Sequence, residues 1–134
     1  MHEKNIEIRW RDVDAYGHVN NAVYLTYLEE ARDEWLQTML GSDDQTWEFV
    51  LGRVAIDYRS ELTLKDDAIK VCCRLASMGT SSFRTREEIF AGDRLAAEAE
   101  AVVVASDRKK GCSRPLTDSE RAALERDRPR RTGA

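Results

Sequence analysis

An α+β domain, one long helix packed on an antiparallel sheet, is the fold class this sequence predicts. Three observations predict it. Residues 21–40 carry apolar side chains at helical spacing. Strand-like alternation precedes that stretch and fills most of residues 49–106. Turn signals punctuate the second region at hairpin spacing with no helix between, so its strands are expected to be antiparallel. A chain of 134 residues with a 42% hydrophobic and 34% charged composition suits one domain with one core. That domain is expected over residues 1–126, with a basic, frayed tail over 127–134.

Ile6, Ile8 and Trp10 alternate with Glu7, Arg9 and Arg11, the period of a half-buried strand over residues 5–11. A polar stretch with a glycine follows, and either Asn20 or Asn21 suits the cap of the helix. Tyr24, Leu28, Ala31, Trp35 and Met39 share one face, widened by Leu25 and Leu36. Glu29, Glu30, Arg32, Asp33 and Glu34 are expected on the solvated side, and Gly41 ends the helix. Val54, Ile56, Tyr58, Ser60 and Leu62 mark one face of the next strand. A turn at Lys65-Asp66-Asp67 leads to a strand with Ile69, Val71, Cys73 and Leu75 on one face. Gly79-Thr80 and Gly92-Asp93 separate two further strands, near 81–90 and 94–106, completing a four-strand meander. The last strand places Leu95, Ala97, Ala99, Ala101, Val103 and Ala105 together, a face small enough for close approach. Thr117-Asp118-Ser119-Glu120 has the form of a capping box and opens a short helix.

Composition excludes several classes. A net charge of −4 argues against a general nucleic-acid binder. No apolar run reaches the roughly 18–20 residues of a membrane span. Three cysteines without ligand spacing, and two histidines, form neither a disulfide framework nor a zinc site. The first residues run directly into a strand with no apolar leader, so the expected compartment is the cytoplasm.

Chemistry concentrates in Asp12-Val13-Asp14-Ala15-Tyr16-Gly17-His18-Val19-Asn20-Asn21, ahead of the long helix. A helix N-terminus offers unpaired N–H groups to a developing oxyanion, and a nearby carboxylate can act as nucleophile or general base. The same residues also suit ordinary turn and cap hydrogen bonds.

Arg9-Trp10-Arg11-Asp12-Val13-Asp14, Gly17-His18-Val19-Asn20-Asn21-Ala22-Val23-Tyr24 and Glu30-Ala31-Arg32 resemble the acyl-CoA thioesterases of the 4-hydroxybenzoyl-CoA thioesterase type. The similarity extends through Asp57-Tyr58-Arg59, Gly79-Thr80-Ser81-Ser82 and Arg114-Pro115-Leu116. It implies a hotdog fold, the sheet curled around the helix. It also implies hydrolysis of an acyl-CoA thioester, with CoA as part of the substrate and no separate cofactor or metal. By position, Asp14 takes the catalytic carboxylate role, and Asn21 supplies the backbone N–H that polarises the carbonyl. Gly17, His18, Val19, Asn20 and Tyr24 are expected to line the substrate, His18 in a turn-stabilising or substrate-lining role. Ser81 and Ser82 are expected to meet CoA, and Arg108, Lys109 and Lys110 its phosphates. Family sites lie between protomers, which implies a homodimer, further paired into a homotetramer. Gly-His-Val-Asn-Asn replaces the apolar and aromatic residues of the founding aryl-CoA enzymes, so the acyl group stays open. The rival readings are a non-catalytic acyl-CoA or acyl-carrier-protein binding module and a hotdog dehydratase or hydratase.

Overall fold

The computed structural model describes residues 1–41 and 48–127. In chain order these are β1 (His2–Glu7), a 3-10 turn (Trp10–Asp12), α1 (Asn21–Leu40), β2 (Phe49–Tyr58) and a second 3-10 turn (Leu64–Asp66). Then follow β3 (Ala68–Met78), β4 (Ser82–Ala91), β5 (Arg94–Asp107), a short β6 (Cys112–Ser113) and α2 (Asp118–Glu125). All strand pairs are antiparallel, in the order β1-β3-β4-β5-β2, with β6 added to β5. This is the α+β, hotdog-like arrangement, a long helix held by a curled sheet. No helix among the described residues is long and apolar enough to cross a membrane.

The helix starts where Asn20 caps it, the Asn20 side chain accepting from the Ala22 N–H at 2.9 Å. It stops at Gly41, whose φ of +84° is open to a residue without Cβ. Under its first half lie Tyr24, Leu28 and Ala31 against Ile69, Val71, Ile89, Ala97 and Ala99. Under its second half lie Trp35 and Leu36 against Leu75, Phe83, Val103, Leu116 and Leu124. Among the strands the helix lies nearest β3. A bulge between Ile89 and Phe90 skips Ala96, so Ala96 points inward as well and Leu95 is only partly covered.

The structure corrects three expectations. First, the opening strand ends at Glu7. The Asp12 carboxylate caps the Arg9 N–H, the chain turns, and Trp10 is 82% exposed instead of continuing a buried face.

Second, there is no four-strand meander. Only β3, β4 and β5 follow one another, while β2 pairs with β5 and its chain then crosses to the far side of the sheet to begin β3. The strand face read through Ser60 and Leu62 stops at Tyr58 for the same reason.

Third, Arg32 is buried rather than solvated. Its Nε and Nη2 donate to the two oxygens of Glu87 at 2.9 Å each, and the Thr85 hydroxyl donates to the same carboxylate. Glu87 is wholly buried, so the pairing offsets a desolvation cost that neither charge could bear alone. Of the expected tail, Asp127 accepts from the Leu75 N–H at 2.9 Å, and residues 128–134 lie outside the described residues.

Candidate active site

The segment between the first 3-10 turn and α1 folds as a tight hairpin. The Asp14 N–H donates to the His18 carbonyl at 2.9 Å, Val13 bridges Val19, and the Asn20 N–H donates to the Asp12 carbonyl at 2.9 Å. Gly17 closes the tip with φ +83°, donating its N–H to the Asp14 carbonyl at 3.0 Å. The Val19 N–H reaches the Leu62 carbonyl at 2.7 Å, stitching the hairpin to the chain beyond β2.

The two aspartates have separate environments. Asp12 is buried and accepts from the Arg9 N–H at 2.9 Å and the Tyr27 hydroxyl at 2.8 Å, with the Arg9 guanidinium at 3.1 Å. Burial alone pushes its carboxyl upward. The Arg9 N–H, the Tyr27 hydroxyl and the Arg9 guanidinium together outweigh that and hold it below the usual carboxylate value. Asp12 is an anchor. Asp14 is half-buried; its Oδ1 accepts from the Tyr16 N–H at 2.9 Å, and its Oδ2 has no partner among the described residues.

The start of α1 is equally selective. Asn20 takes the N–H of Ala22 on its side chain and that of Val23 on its carbonyl. The N–H of Asn21, the first helical residue, meets no acceptor among the described residues. The Asn21 carbonyl accepts from the Tyr58 hydroxyl at 2.9 Å, tying the helix start to the end of β2. A free carboxylate oxygen and an unclaimed helical N–H thus stand on one hairpin. The helix dipole adds partial positive charge at the second.

His18 does not form a dyad with Asp14, because its Nε2 faces the Glu61 carboxylate at 3.1 Å. Val19 is buried; Tyr24 is buried too, its ring edge-on to Tyr58 at 5.0 Å and its hydroxyl donating to the Ser60 carbonyl at 3.1 Å. Asp14, Gly17, His18, Val19, Asn20, Asn21 and Tyr24 therefore gather at one end of the sheet.

Ser81, Ser82, Arg108, Lys109 and Lys110 gather at the other end. The Ser81 carbonyl accepts from the Ala105 N–H, and Ser82 pairs with Val104. The basic residues sit in the β5–β6 turn, where Asp107 Oδ1 accepts from the N–H groups of Lys109 and Lys110. Ala97 lies opposite Tyr58, near the helix start. From Ala97 to Asp107, at about 3.3 Å per residue, β5 runs roughly 33 Å. Within one protomer the two groups do not meet.

Sequence reasoning missed Tyr27 as the clamp on Asp12, Tyr58 as the tie on Asn21, and Glu61 as the partner of His18. Tyr27 and Glu61 carry no local signal. Each was one more residue in a periodic stretch.

Comparison with known proteins gives the family. Residues 8–126 match the Thioesterase-like superfamily. The chain belongs to that family. Over 85% of its length and 88% of the relative's, it is 31% identical to the acyl-CoA thioester hydrolase YbgC of Escherichia coli. It is 39% identical over 70 residues to the long-chain acyl-CoA thioesterase FadM of Escherichia coli K12, an alignment spanning 51% of that protein. Among solved structures, a thioesterase from Thermus thermophilus complexed with coenzyme A and zinc superposes with a TM-score of 0.86, at 32% identity and 96% coverage of both chains. In this superfamily member, no group of three or more His, Cys, Asp or Glu among the described residues is placed to hold a metal ion.

Proposed function

We propose that the protein hydrolyses an acyl-CoA thioester to the free acid and CoA, using Asp14 and the backbone N–H of Asn21. One observation carries this reading. The hairpin leaves unpaired both a carboxylate oxygen of Asp14 and the first N–H of α1, in a chain whose relatives are acyl-CoA thioester hydrolases.

The chemistry needs both groups. The thioester carbonyl oxygen takes the Asn21 N–H, which stabilises the charge that develops as the carbon becomes tetrahedral. In the general-base route, Asp14 removes a proton from water and the oxygen attacks the carbonyl. Collapse of the oxyanion breaks the C–S bond, and the proton held by Asp14 passes to the departing thiolate. In the nucleophilic route, Asp14 itself attacks, CoA leaves as thiolate, and water cleaves the resulting anhydride.

Asp14 is half-buried and Asn21 exposed in the single protomer, and the expected homodimer would cover them. The phosphate role that the resemblance gives to Arg108, Lys109 and Lys110 is open to them only across such an interface.

Asp14→Asn tests the assignment, because the amide keeps the size and the turn hydrogen bond but cannot attack or take a proton. The kcat for thiol release should fall by about 10²–10⁴ while acyl-CoA binding and the circular dichroism spectrum persist. A near wild-type rate would remove Asp14 from the chemistry. Tight acyl-CoA binding by the wild-type protein with no thiol release would identify a binding module instead.

A further inference from the structure

Tyr58 ends β2 beside the start of α1, and its hydroxyl is the strand's tie to the helix backbone. We propose that Tyr58 is a positioning residue, holding the first turn of α1 so that the Asn21 N–H stays aimed at the thioester carbonyl oxygen. The proposal rests on the hydrolase reading above for what that N–H does, and on the following geometry for what holds it.

The backbone of Tyr58 belongs to the sheet. It lies opposite Ala97, and the next two residues, Arg59 and Ser60, both donate their N–H groups to the Ala96 carbonyl, at 2.8 and 3.1 Å. From this base the ring stands edge-on to Tyr24, with centroids 5.0 Å apart and planes at 72°. Such pairs attract beyond the area they bury. The Tyr58 hydroxyl then donates to the Asn21 carbonyl at 2.9 Å. Tyr24 answers in the opposite direction, its hydroxyl donating to the Ser60 carbonyl at 3.1 Å. The strand's tyrosine thus grips the helix backbone, and the helix's tyrosine grips the backbone just past the strand.

A helix start needs such a grip. Its first N–H groups have no partner within the helix, so the turn is held from outside or frays. Asn20 takes the N–H groups of Ala22 and Val23, which sets the shape of the turn. Asn20 is a neighbour in sequence, however, and cannot fix where that turn lies against the sheet. The helix lies nearest β3, so β2 reaches its first residue through a long side chain. The carbonyl and the N–H of Asn21 flank one Cα, with only two soft dihedrals between them, so holding the first restrains the second. An oxyanion donor acts by being in place beforehand, and a shift of about 1 Å can cost about 10²-fold in rate. The phenol has one proton to donate, and Asn21 takes it. Tyr58 therefore acts through Asn21 and does not itself donate to the substrate.

Tyr58→Phe tests this, since it keeps the ring on Tyr24 and removes only the hydroxyl. Steady-state kinetics on short and long acyl-CoA esters are combined with amide hydrogen exchange on the folded full chain. The kcat should fall about tenfold, a fraction of the loss from deleting an oxyanion donor outright, with KM within twofold and the same factor for every acyl length. The Ala22 and Val23 amides should exchange about tenfold faster. The Gly41 amide, bonded to the Gln37 carbonyl at 2.8 Å at the other end of the helix, should keep its wild-type rate. A raised KM at unchanged kcat, or a loss that varies with acyl length, overturns the proposal by making Tyr58 a substrate contact. Unchanged exchange at Ala22 and Val23 overturns it too, as does faster exchange that includes Gly41, the mark of a general loss of stability. A wild-type protein that releases no thiol, with the two amides still freed by Tyr58→Phe, would uphold the tie and sink the hydrolase reading.

Discussion

Two carboxylates two residues apart have opposite surroundings. Asp12 is surrounded by donors, and Asp14 keeps one oxygen free. The clamp on Asp12 has a measurable pH signature. Its carboxyl is held below the ordinary value of 3.8, so its stabilising effect is complete above that pH and is lost as pH falls through the lower folded value. Tyr27→Phe removes one donor and should lower unfolding free energy at pH 7 by about 1–3 kcal/mol. Urea titrations of the two proteins from pH 7 downward should show the gap narrowing as pH passes below 3.8 through the lower folded value, where the carboxyl protonates and no longer needs the donor. A gap that stays constant across that range would mean that the hydroxyl matters only through packing. Asp12→Asn should lower the melting temperature while the folded enzyme keeps a near-normal kcat, the reverse of the pattern expected for Asp14→Asn.

At the scale of elements, α1 is held by a polar cap at one end and by a buried ion pair in its middle. Asn20→Ala should destabilise the protein by about 1 kcal/mol through loss of the cap. Glu87→Gln leaves the Arg32 charge buried without its counter-ion and should cost about 3–5 kcal/mol, read from the denaturant midpoint. Joint replacement by Arg32→Met and Glu87→Leu should cost less than Glu87→Gln alone. The ends of this helix were legible in the sequence because Asn20 and Gly41 act on their own neighbours. The same holds for the capping box at Thr117 and Glu120 and for the Gly92 turn. Arg32 was not legible, since its partner on β4 is brought to it only by the fold. Nor was the end of the first strand, where Asp12 captures the Arg9 N–H against the alternation that would carry Trp10 inward. Within the candidate site, Asp14 and Asn21 are named only through the family resemblance, since their local pattern suits turn and cap hydrogen bonds equally. The separation of Ser81, Ser82 and Arg108–Lys110 from them depends on the direction of β5, and the pairing of Glu61 with His18 on a crossing that no local pattern announces.

For the whole molecule, β2 is an edge strand whose outer rim has no neighbour among the described residues, with Val50 and Leu51 about half exposed. An edge of that kind invites a second chain. The expected assembly is a dimer or larger at working concentration, and Val50→Lys with Leu51→Lys should shift sedimentation toward monomer and reduce thiol release. A fully active monomer would sink the expectation of a shared site. The strand order has a further consequence for how the chain reaches and leaves its native state. β3, β4 and β5 close through short turns, at Gly79–Ser82 and at Gly92–Asp93. By contrast, β1 must find Cys73 from His2, and β2 must find Ala105 from Phe49. Long loops delay such pairings, so the central hairpins should form early and the two outer strands dock late. In native-state hydrogen exchange the amides of β4 should open only with global unfolding, while those of β1 and β2 open through smaller fluctuations. The Asp14 hairpin is stitched to the chain just beyond β2, so it belongs to the part of the molecule that arrives last and loosens first.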